Sequence, residues 1–556
     1  MRETEVRPMY EILFALTLIF VLASILLIVA AQKGLPVIPF YLLAGIVAGA
    51  VIDETELLDL AQWGIAFLVF LFGVHVDFES VRERGRISVA VGTAQALLVG
   101  ALTFGVGTLL GLDALNAAYV AIAAALSSSL VATSYLDGIR SARPTYERLA
   151  ESIHFTEDVI GVLVILGLSA FVYAETPAVE QFGVAAGLLA LALLIRYVVF
   201  HRLTAKLRGD SEVLMLVGIS FVVGFIALAE LANLSIIVGA FAAGIAVADD
   251  YPHSLELVDT VDDLEDFFTP ILFVTVGALL TVPSPESLGY TAVLLAAVLV
   301  VNPLFVAAIL VRSGFDGRTA ILTGLTLDQL SVFSLFVAIE ALAAETIARP
   351  VFDAIVLAAA ATMVVATYTG RHADVIARRL RDRGVVDALG ESVDDRAQVA
   401  DGITDHVIVV DVEHGGWSAL EACDALDRPV VVIEDNPATF ETIQDECDNY
   451  VYGDVADERV WELARLEEAA AVVSLTPERD RAEAILDLET DVPRIVRVEE
   501  TDAAEEFVER GAAGAIYPDA IAAERVGDDL EALLAGEISR EEFAERGRRH
   551  LERASE

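Results

Sequence analysis

Two adjacent acids, Glu157 and Asp158, lie inside the apolar stretch 149–173. A carboxylate at membrane depth costs about 3 kcal/mol on insertion scales, so an acid kept there usually has a function. Burial disfavours the charged form of a carboxylate and a bound cation favours it, so a proton and a metal cation can compete for one such group. The pair therefore predicts ion or proton handling, with Asp158 as the shared group. Successive helix residues point about 100° apart, so we assign Glu157 a coupled or structural role.

Oxygen ligands for a monovalent cation are available in the preceding apolar segment. Ser127, Ser128 and Ser129 interrupt it, and a helix break there would also expose backbone carbonyls. Taken alone, these serines fit interhelical packing better than cation binding, and the nearby acids reverse that preference. A second polar interruption, with Asp328 at its centre, lies seven segments later and runs in the opposite direction, as in inverted-topology repeats. Asp328 is predicted to line the ion path, the alternative being a carboxylate near a helix end.

The elements that must position these residues are membrane helices. The chain has 556 residues and is 56% hydrophobic, and apolar runs long enough to cross a bilayer recur along its first two thirds. We predict thirteen spans within a transmembrane domain at 10–370. The segments are 10–31, 36–52, 61–77, 87–111, 115–136, 149–173, 180–200, 212–231, 233–249, 268–283, 289–312, 318–343 and 350–370.

Charges between these segments predict the orientation. Alternate loops collect the basic residues, whereas the loops between them contain only Arg2, Arg7 and Arg349. Because short cytoplasmic loops are enriched in Lys and Arg, this pattern predicts a multi-pass protein of the cell membrane, with its N-terminus outside and its C-terminal region in the cytoplasm. The net charge of −47 disfavours a nucleic-acid partner and, with only two lysines in the chain, indicates a salt-accumulating host.

Beyond residue 405 the pattern changes to short β-type runs alternating with helical segments, which predicts a doubly wound parallel sheet. We predict a linker at 371–404, a Rossmann-like regulatory domain at 405–520 and a charged helical tail at 521–556. Asp411 and Glu413 stand where a dinucleotide fingerprint has glycines, and their bulk and charge disfavour nucleotide binding. Glu434, Gly416 and Asp454 are the remaining candidate nucleotide contacts, and Glu434 also fits a plain surface acid. We assign no cofactor, and the two cysteines support neither a disulfide nor a zinc site.

Several sequence blocks in a fixed order resemble the Kef-type monovalent cation:proton antiporters. They are LPVIPFYLLAGIVAGAVI at 35–52, GIAFLVFLFGVHVDF at 64–78, ALSSSLVATSYL at 125–136, the acid pair, IIVGAFAAGIAVADD at 236–250 and FFTPILFVTVGALL at 267–280. The resemblance implies an inverted-repeat fold with two broken crossing helices, a homodimer, and Asp158 at the ion-binding aspartate. The C-terminal region resembles a TrkA-N, or regulator-of-potassium-conductance, domain.

The sequence departs from the Kef-type pattern at two places. Ser331 and Val332 stand where the family usually has Gly and Glu, and Asn302 replaces a frequent intramembrane lysine. Asn302 and Thr156 are further ion-path candidates.

The predicted function is exchange of sodium or potassium for protons by alternating access around Asp158, modulated by the cytoplasmic domain. Two alternatives are a domain-gated potassium channel, whose filter-like triplet would be Thr275-Val276-Gly277, and a transport-inactive ion sensor. No constellation of catalytic residues indicates an enzyme.

Overall fold

The structure is a computed structural model that describes residues 7–33, 37–75, 86–127, 145–172, 178–200, 211–248, 255–384, 393–412, 416–437, 439–476, 478–498, 501–535 and 538–542. The chain divides into two units. The first comprises Met1–Asp137, Leu149–Ser313 and Arg318–Val385, and the second comprises Gly138–Arg148, Gly314–Gly317 and Val386–Glu556.

Helices form the described part of the first unit. They are α1 Arg7–Lys33, α2 Val37–Ala48, α3 Glu54–His75, α4 Arg86–Leu109, α5 Ala114–Ala125, α6 Thr145–Val172, α7 Ala178–Ile195, α8 Ser211–Leu231, α9 Ile236–Val247, α10 Leu255–Ala278, α11 Pro285–Ala296, α12 Asn302–Arg312, α13 Gly317–Thr326, α14 Val332–Ala343, α15 Arg349–Arg371 and α16 Ala373–Asp382. One π-helical turn, Arg196–Phe200, extends α7, and another, Ala297–Val301, joins α11 to α12.

Each of the thirteen predicted segments overlaps one of these helices or a pair of them. By length and apolar composition, five helices of the described chain can cross a membrane, and seven shorter apolar helices accompany them. The number that actually crosses stays a prediction.

Capping residues fix several helix starts. Asp113 accepts hydrogen bonds from Leu115 N and Asn116 N at the start of α5, and Ser235 accepts one from Ile237 N at the start of α9. Such side-chain acceptors satisfy N–H groups that have no partner inside the helix.

Small residues let neighbouring helices approach closely. A Cβ atom added to Gly277 would lie 2.1 Å from Leu42 O, and one added to Gly244 would lie 2.2 Å from Phe70 O. In a membrane, where lipid is as apolar as leucine, such backbone contacts are a main source of helix association.

The acidic stretch that precedes the tenth predicted span is partly helical. The span predicted at 268–283 starts well after the helix itself, because α10 begins at Leu255 and includes the acids from Glu256 to Asp266. The prediction was wrong there because it followed hydropathy alone, whereas a helix can continue beyond its apolar part when its polar end is solvated.

The second unit is built on a seven-stranded sheet. Its strands are β1 Ala397–Gln398, β2 His406–Val410, β3 Val430–Glu434, β4 Tyr450–Tyr452, β5 Ala469–Ser474, β6 Arg494–Arg497 and β7 Gly514–Ile516, in the order β1-β4-β3-β2-β5-β6-β7. The pairs from β4 to β7 are parallel, and β1 joins β4 antiparallel. The helices of this unit are α17 Gly416–Asp424, α18 Phe440–Glu446, α19 Glu458–Leu463, α20 Arg479–Leu486, α21 Thr501–Glu509 and α22 Pro518–Leu534.

The six predicted strands are confirmed as this parallel sheet, with β2 and β3 buried at its centre. Strand β1 was not predicted, because residues 397–398 were assigned to the linker. Two residues give no recognisable alternation, and only the pairing with Val451 and Tyr450 makes them a strand. The predicted linker also contains α16, and the last helix begins at Pro518, inside the region assigned to the domain.

Candidate functional site

The first predicted helix break is present at the end of α5. This helix ends at Ala125, and Leu126 takes an extended conformation with φ −110° and ψ 130°. The second break lies between α13 and α14, at residues 327–331. The two breaks meet, since Leu126 O accepts a hydrogen bond of 3.0 Å from Ser331 N, and Ala123 O accepts one of 3.2 Å from the Ser334 hydroxyl. Backbone groups that the interrupted helices leave unpaired are thus partly satisfied by the opposite break.

Glu157 binds directly to the first break. Its Oε2 atom accepts a hydrogen bond of 2.8 Å from Ser127 N and a second one from the Ser127 hydroxyl. The side chain is fully buried, and its Oε1 atom has no hydrogen-bond partner in the described part of the chain. A buried carboxylate with a free oxygen is a suitable ligand for a proton or for a hard cation.

Asp158 follows on the same helix and is also buried, with 6% of its surface exposed. The structure therefore brings Ser127 and Glu157 into contact, with Asp158 next to Glu157 in the chain. Ser128 and Ser129, the other two predicted ligands, lie outside the described residues.

His154 belongs to this cluster, although it is not among the candidates of the sequence analysis. It is 1% exposed, and its Nδ1 atom lies 3.0 Å from the Ser127 hydroxyl oxygen. The signal that would have found it is its spacing, because residues three apart on a helix share a face and His154 is three residues before Glu157.

The three other ion-path candidates, Thr156, Asn302 and Asp328, have different positions. Thr156 is half-buried, donates its hydroxyl to Ser152 O of its own helix, and packs against Gly92 of α4. A residue that faces α4 in this way is one of the helix-packing threonines expected in membrane proteins.

Asn302 and Asp328 are buried near the second break. Asn302 Nδ2 donates a hydrogen bond of 2.8 Å to Leu327 O, while Asp328 interacts with the Thr369 side chain. Asn302 Oδ1 and Asp328 Oδ1 both lack a hydrogen-bond partner among the residues described. Asn302 therefore holds the break by its amide, where the Kef-type pattern has a charged lysine.

Ser331 and Val332 serve the start of α14. The Ser331 hydroxyl accepts a hydrogen bond of 3.0 Å from Phe333 N, and Val332 is buried in the apolar core. These two residues therefore cap and pack a helix, and neither carries a charge into the break.

Glu340 is a further buried acid of the helical unit. It is 2% exposed and accepts hydrogen bonds from Gln62 Nε2 and from the Ser235 hydroxyl. Its position near the end of an apolar run did not reveal that side chains from α3 and from the start of α9 would bind it.

The filter-like triplet of the channel hypothesis lies inside the continuous helix α10. The Thr275 hydroxyl bonds to Ile271 O and Leu272 O of the same helix, and Gly277 packs against Leu42. A potassium filter needs backbone carbonyls that are free to replace water around the ion, and a helical segment uses them for its own hydrogen bonds.

In the second unit, the acids Glu434, Asp435 and Asp411 lie near Arg481 at the carboxyl edge of the sheet. Glu434 ends β3, and its side chain accepts hydrogen bonds from Asp435 N, Asn436 N and Val412 N. Burial, together with the carboxylates of Asp435 and Asp411, raises the pKa of Glu434 to about 7. Its oxygens already bind backbone groups of the chain.

Asp411 occupies the left-handed region, with φ 63°, and its N–H donates to Ile433 O. This conformation favours glycine, which is the residue that the dinucleotide fingerprint has at this turn. Asp411 thus has a backbone conformation typical of glycine while placing a carboxylate there. Glu413 lies outside the described residues, and Gly416 begins α17.

Arg481 is the positive partner at this edge. It is 7% exposed and donates a hydrogen bond to Asp435 Oδ1, with Asp411 Oδ2 4.0 Å from its guanidinium. Burial alone would raise the pKa of Asp435, but the guanidinium groups of Arg481 and Arg148 hold it below its ordinary value.

Two further contacts at this edge come from the start of α6, whose residues Thr145–Arg148 belong to the second unit. Asp454 Oδ2 accepts a hydrogen bond of 2.6 Å from Thr145 N, and Asp435 Oδ2 accepts one from the Thr145 hydroxyl. The described residues contain no group of His, Cys, Asp and Glu side chains arranged to hold a metal ion.

The chain matches known families in both units. Residues 16–372 match the sodium/hydrogen exchanger transmembrane family, and residues 407–518 match the TrkA-N domain family. The YbaL protein of Escherichia coli is 24% identical over 547 residues, covering 93% of this chain and 97% of YbaL.

Two other similar proteins each cover part of this chain. The ammonium/H(+) antiporter subunit AmhT of Alkalihalophilus pseudofirmus is 26% identical, covering 59% of this chain and 85% of AmhT. The solved structure of the sodium proton antiporter MjNhaP1 from Methanocaldococcus jannaschii superposes with a TM-score of 0.54 at 17% identity, covering 69% of this chain and 99% of that protein. At this identity the superposition supports the fold alone.

Proposed function

As a member of the sodium/hydrogen exchanger family, this chain is a secondary cation:proton antiporter, and we propose that Asp158 is the carboxylate that the cation and the proton share. The observation that carries the proposal is the contact between Glu157 and Ser127, because it puts the acid pair at the point where the two helix breaks meet. Ion sites formed by discontinuous helices are typical of secondary transporters.

In this mechanism the two substrates exclude each other at Asp158. The cation binds only the ionised carboxylate, and a proton from the opposite side displaces it, so the site returns across the membrane occupied by one substrate or the other. The Ser127 oxygen and exposed carbonyls supply further ligands, and Glu157, held by Ser127, adjusts the charge of the site. Ser128 and Ser129 are proposed ligands on sequence grounds.

The choice between sodium and potassium rests on the size of the cation cavity, since both ions use oxygen ligands. Relatives of this chain are named for different cations. KefC of Enterobacter sp., which is 29% identical over 268 residues, is called a potassium-efflux system, and AmhT is called an ammonium antiporter. The test therefore has to compare sodium, potassium and ammonium.

The test is cation-driven proton movement in proteoliposomes at high salt, comparing the wild type with Asp158→Asn. We expect the wild type to exchange protons for at least one cation and the variant to lose at least 90% of that rate. Asp353→Asn is the matched control, because Asp353 is a buried acid that binds Thr281 and lies outside the proposed site. Equal rates for Asp158→Asn and the wild type would refute the assignment.

The cytoplasmic domain is proposed to regulate exchange without binding a dinucleotide. Three observations support this proposal: Asp411 places a carboxylate in the phosphate-binding turn, Glu434 is bonded to backbone N–H groups, and Asp435 is paired with Arg481. A pyrophosphate there would meet negative charge, and a ribose would have to displace existing hydrogen bonds. Adding NADH or ATP to the full-length protein should leave its melting temperature unchanged within 1 °C, and a saturable increase would contradict the proposal.

The orientation and assembly are also proposals. The basic loops support an external N-terminus and a cytoplasmic C-terminal domain, the family resemblance supports a homodimer, and the acidic composition supports a salt-rich cytoplasm. Accessibility of single cysteines introduced in the loops tests the orientation, and the mass of the detergent-solubilised protein tests the dimer.

A further inference from the structure

The first residue of α6 donates both of its polar hydrogens to the sheet domain. The Thr145 N–H binds Asp454 Oδ2, and its hydroxyl binds Asp435 Oδ2. All three side chains are more than 90% buried. Because the first N–H groups of a helix have no partner inside it, acceptors at this position stabilise the first turn.

Each carboxylate divides its two oxygens between the sheet domain and the helix. Asp454 Oδ1 accepts a hydrogen bond of 2.9 Å from Ala456 N, and Asp435 Oδ1 accepts one from Arg481. The acids are therefore fixed from the sheet side, and their other oxygens are held in position for Thr145. Such fixed acceptors lose little freedom when they bind.

Charge adds to this contact. Arg148, one turn further along α6, lies 3.4 Å from Asp435 Oδ2 and pairs with Glu478. The two carboxylates also lie at the positive end of the helix dipole, where negative charge is favourable. Among the described residues, the charged and titratable groups around the contact include Asp435, Asp454, Glu434, Asp411, Glu478, Tyr452, Arg481 and Arg148.

The helix that begins at this contact carries the acid pair. Asp158 is thirteen residues after Thr145 on the continuous helix α6, which corresponds to about 20 Å along the helix axis. The α6 helix links this contact to the acid pair, and rigid secondary elements are among the carriers of coupling between distant sites.

We propose that Asp435 and Asp454 act as a brake on exchange by capping α6 through Thr145. The inference rests on the proposed function, in which Asp158 has to face each side of the membrane in turn. Bonds that exist in the described conformation and are lost in another add their free energy to the barrier between the two. Releasing the cap therefore speeds exchange.

The test uses the full-length protein with Thr145→Val and Thr145→Ser. Valine keeps the shape of threonine and removes the hydroxyl, whereas serine keeps the hydroxyl and serves as the matched control. Asp454→Asn is a second variant that puts an amide beside the Thr145 N–H. Asp435 is left intact because its removal would leave the buried Arg481 without its partner.

Two readouts separate the brake from a merely structural cap. Amide hydrogen exchange at residues 146–149 should be about five-fold faster in Thr145→Val than in the wild type, as for the loss of one side-chain hydrogen bond that anchors the first residue of α6 to Asp435. The rate of cation:proton exchange per folded molecule should rise two- to five-fold in Thr145→Val and Asp454→Asn, with Thr145→Ser at the wild-type rate.

The other results overturn the proposal. Unchanged amide exchange would mean that the cap is absent in the membrane-embedded protein. Faster amide exchange with an unchanged or lower transport rate would leave a structural cap and no brake. If the wild type itself transports no cation, the proposed function fails, while the amide measurement still tests the cap.

Discussion

The hydroxyl of Ser127 offers the sharpest test of the acid-pair site. It is one of two donors to Glu157 Oε2, the other being the Ser127 N–H at 2.8 Å. Ser127→Ala removes the hydroxyl and leaves the backbone donor, so the break keeps its shape while the buried carboxylate loses one bond. A hydrogen bond to a charged group contributes about 1.5–3 kcal/mol, which corresponds to roughly a 10- to 150-fold change in an equilibrium.

We therefore expect the rate of cation-driven proton movement to fall at least ten-fold in Ser127→Ala. The matched control is Ser334→Ala, because Ser334 is equally buried at the same crossing but donates its hydroxyl to Ala123 O. Both variants are assayed in proteoliposomes at the same density of folded protein. A Ser127→Ala rate within two-fold of the wild type, or equal to that of Ser334→Ala, would refute the idea that Ser127 serves the acid pair.

Three further predictions concern packing, the second break and pH. Gly277→Ala would bring a methyl group within 2.1 Å of Leu42 O, so it should destabilise the helical unit by about 1–3 kcal/mol. Gly289→Ala, which has nothing within 4 Å of the added methyl group, should not destabilise it. Thermal unfolding in detergent measures both variants. Asn302→Ala removes a 2.8 Å hydrogen bond at the second break, so it should lower stability by about 1 kcal/mol and slow cation:proton exchange. An unchanged exchange rate would exclude Asn302 from the ion path. Because the pKa of Glu434 is raised by burial and neighbouring acids from 4.5 to about 7, native protein keeps a proton that unfolded protein has released, so stability is lost as pH rises between these values. Glu434→Gln should remove this loss of stability. The difference in free energy of unfolding between the variant and the wild type, measured with denaturant, should therefore grow in favour of the variant by about 3 kcal/mol from pH 4.5 to 7. A difference that does not change with pH would contradict the pKa assignment.

The membrane part shows what hydropathy can and cannot predict. Long apolar runs such as 87–111 and 350–370 correspond closely to α4 and α15, because an apolar helix is stable in lipid whatever its neighbours are. The start of α10 was missed, since its acidic residues carry no apolar signal. The ends of polar helices depend on their solvation and capping, which hydropathy does not report.

The candidate site was partly predictable. The polarity of Ser127, Glu157 and Asp158 within apolar sequence marked them, because uncompensated polar groups are costly in lipid. His154 was missed because a single histidine gives no such contrast. Its place in the cluster became visible only when the folded chain put its Nδ1 atom 3.0 Å from the oxygen of Ser127, just beyond the end of α5.

The C-terminal domain gives the same contrast. Alternating β and helical runs predicted the parallel sheet, while the two-residue strand β1 depended on pairing with β4. The loss of fingerprint glycines at Asp411 and Glu413 was visible in the sequence. The ion pair between Asp435 and Arg481, and the bonds of Thr145, join residues that are far apart in the chain, so no local pattern could indicate them.

The sequence by itself therefore determined the two kinds of domain, the membrane environment and the acid pair, because composition, periodicity and the cost of buried charge are local properties. Only the tertiary structure decided that Leu126 meets Ser331, that Glu157 is bound by Ser127, and that two acids of the sheet domain cap α6. These contacts depend on distances between residues up to 309 positions apart, which are set by how helices and strands pack and not by the residues' own preferences.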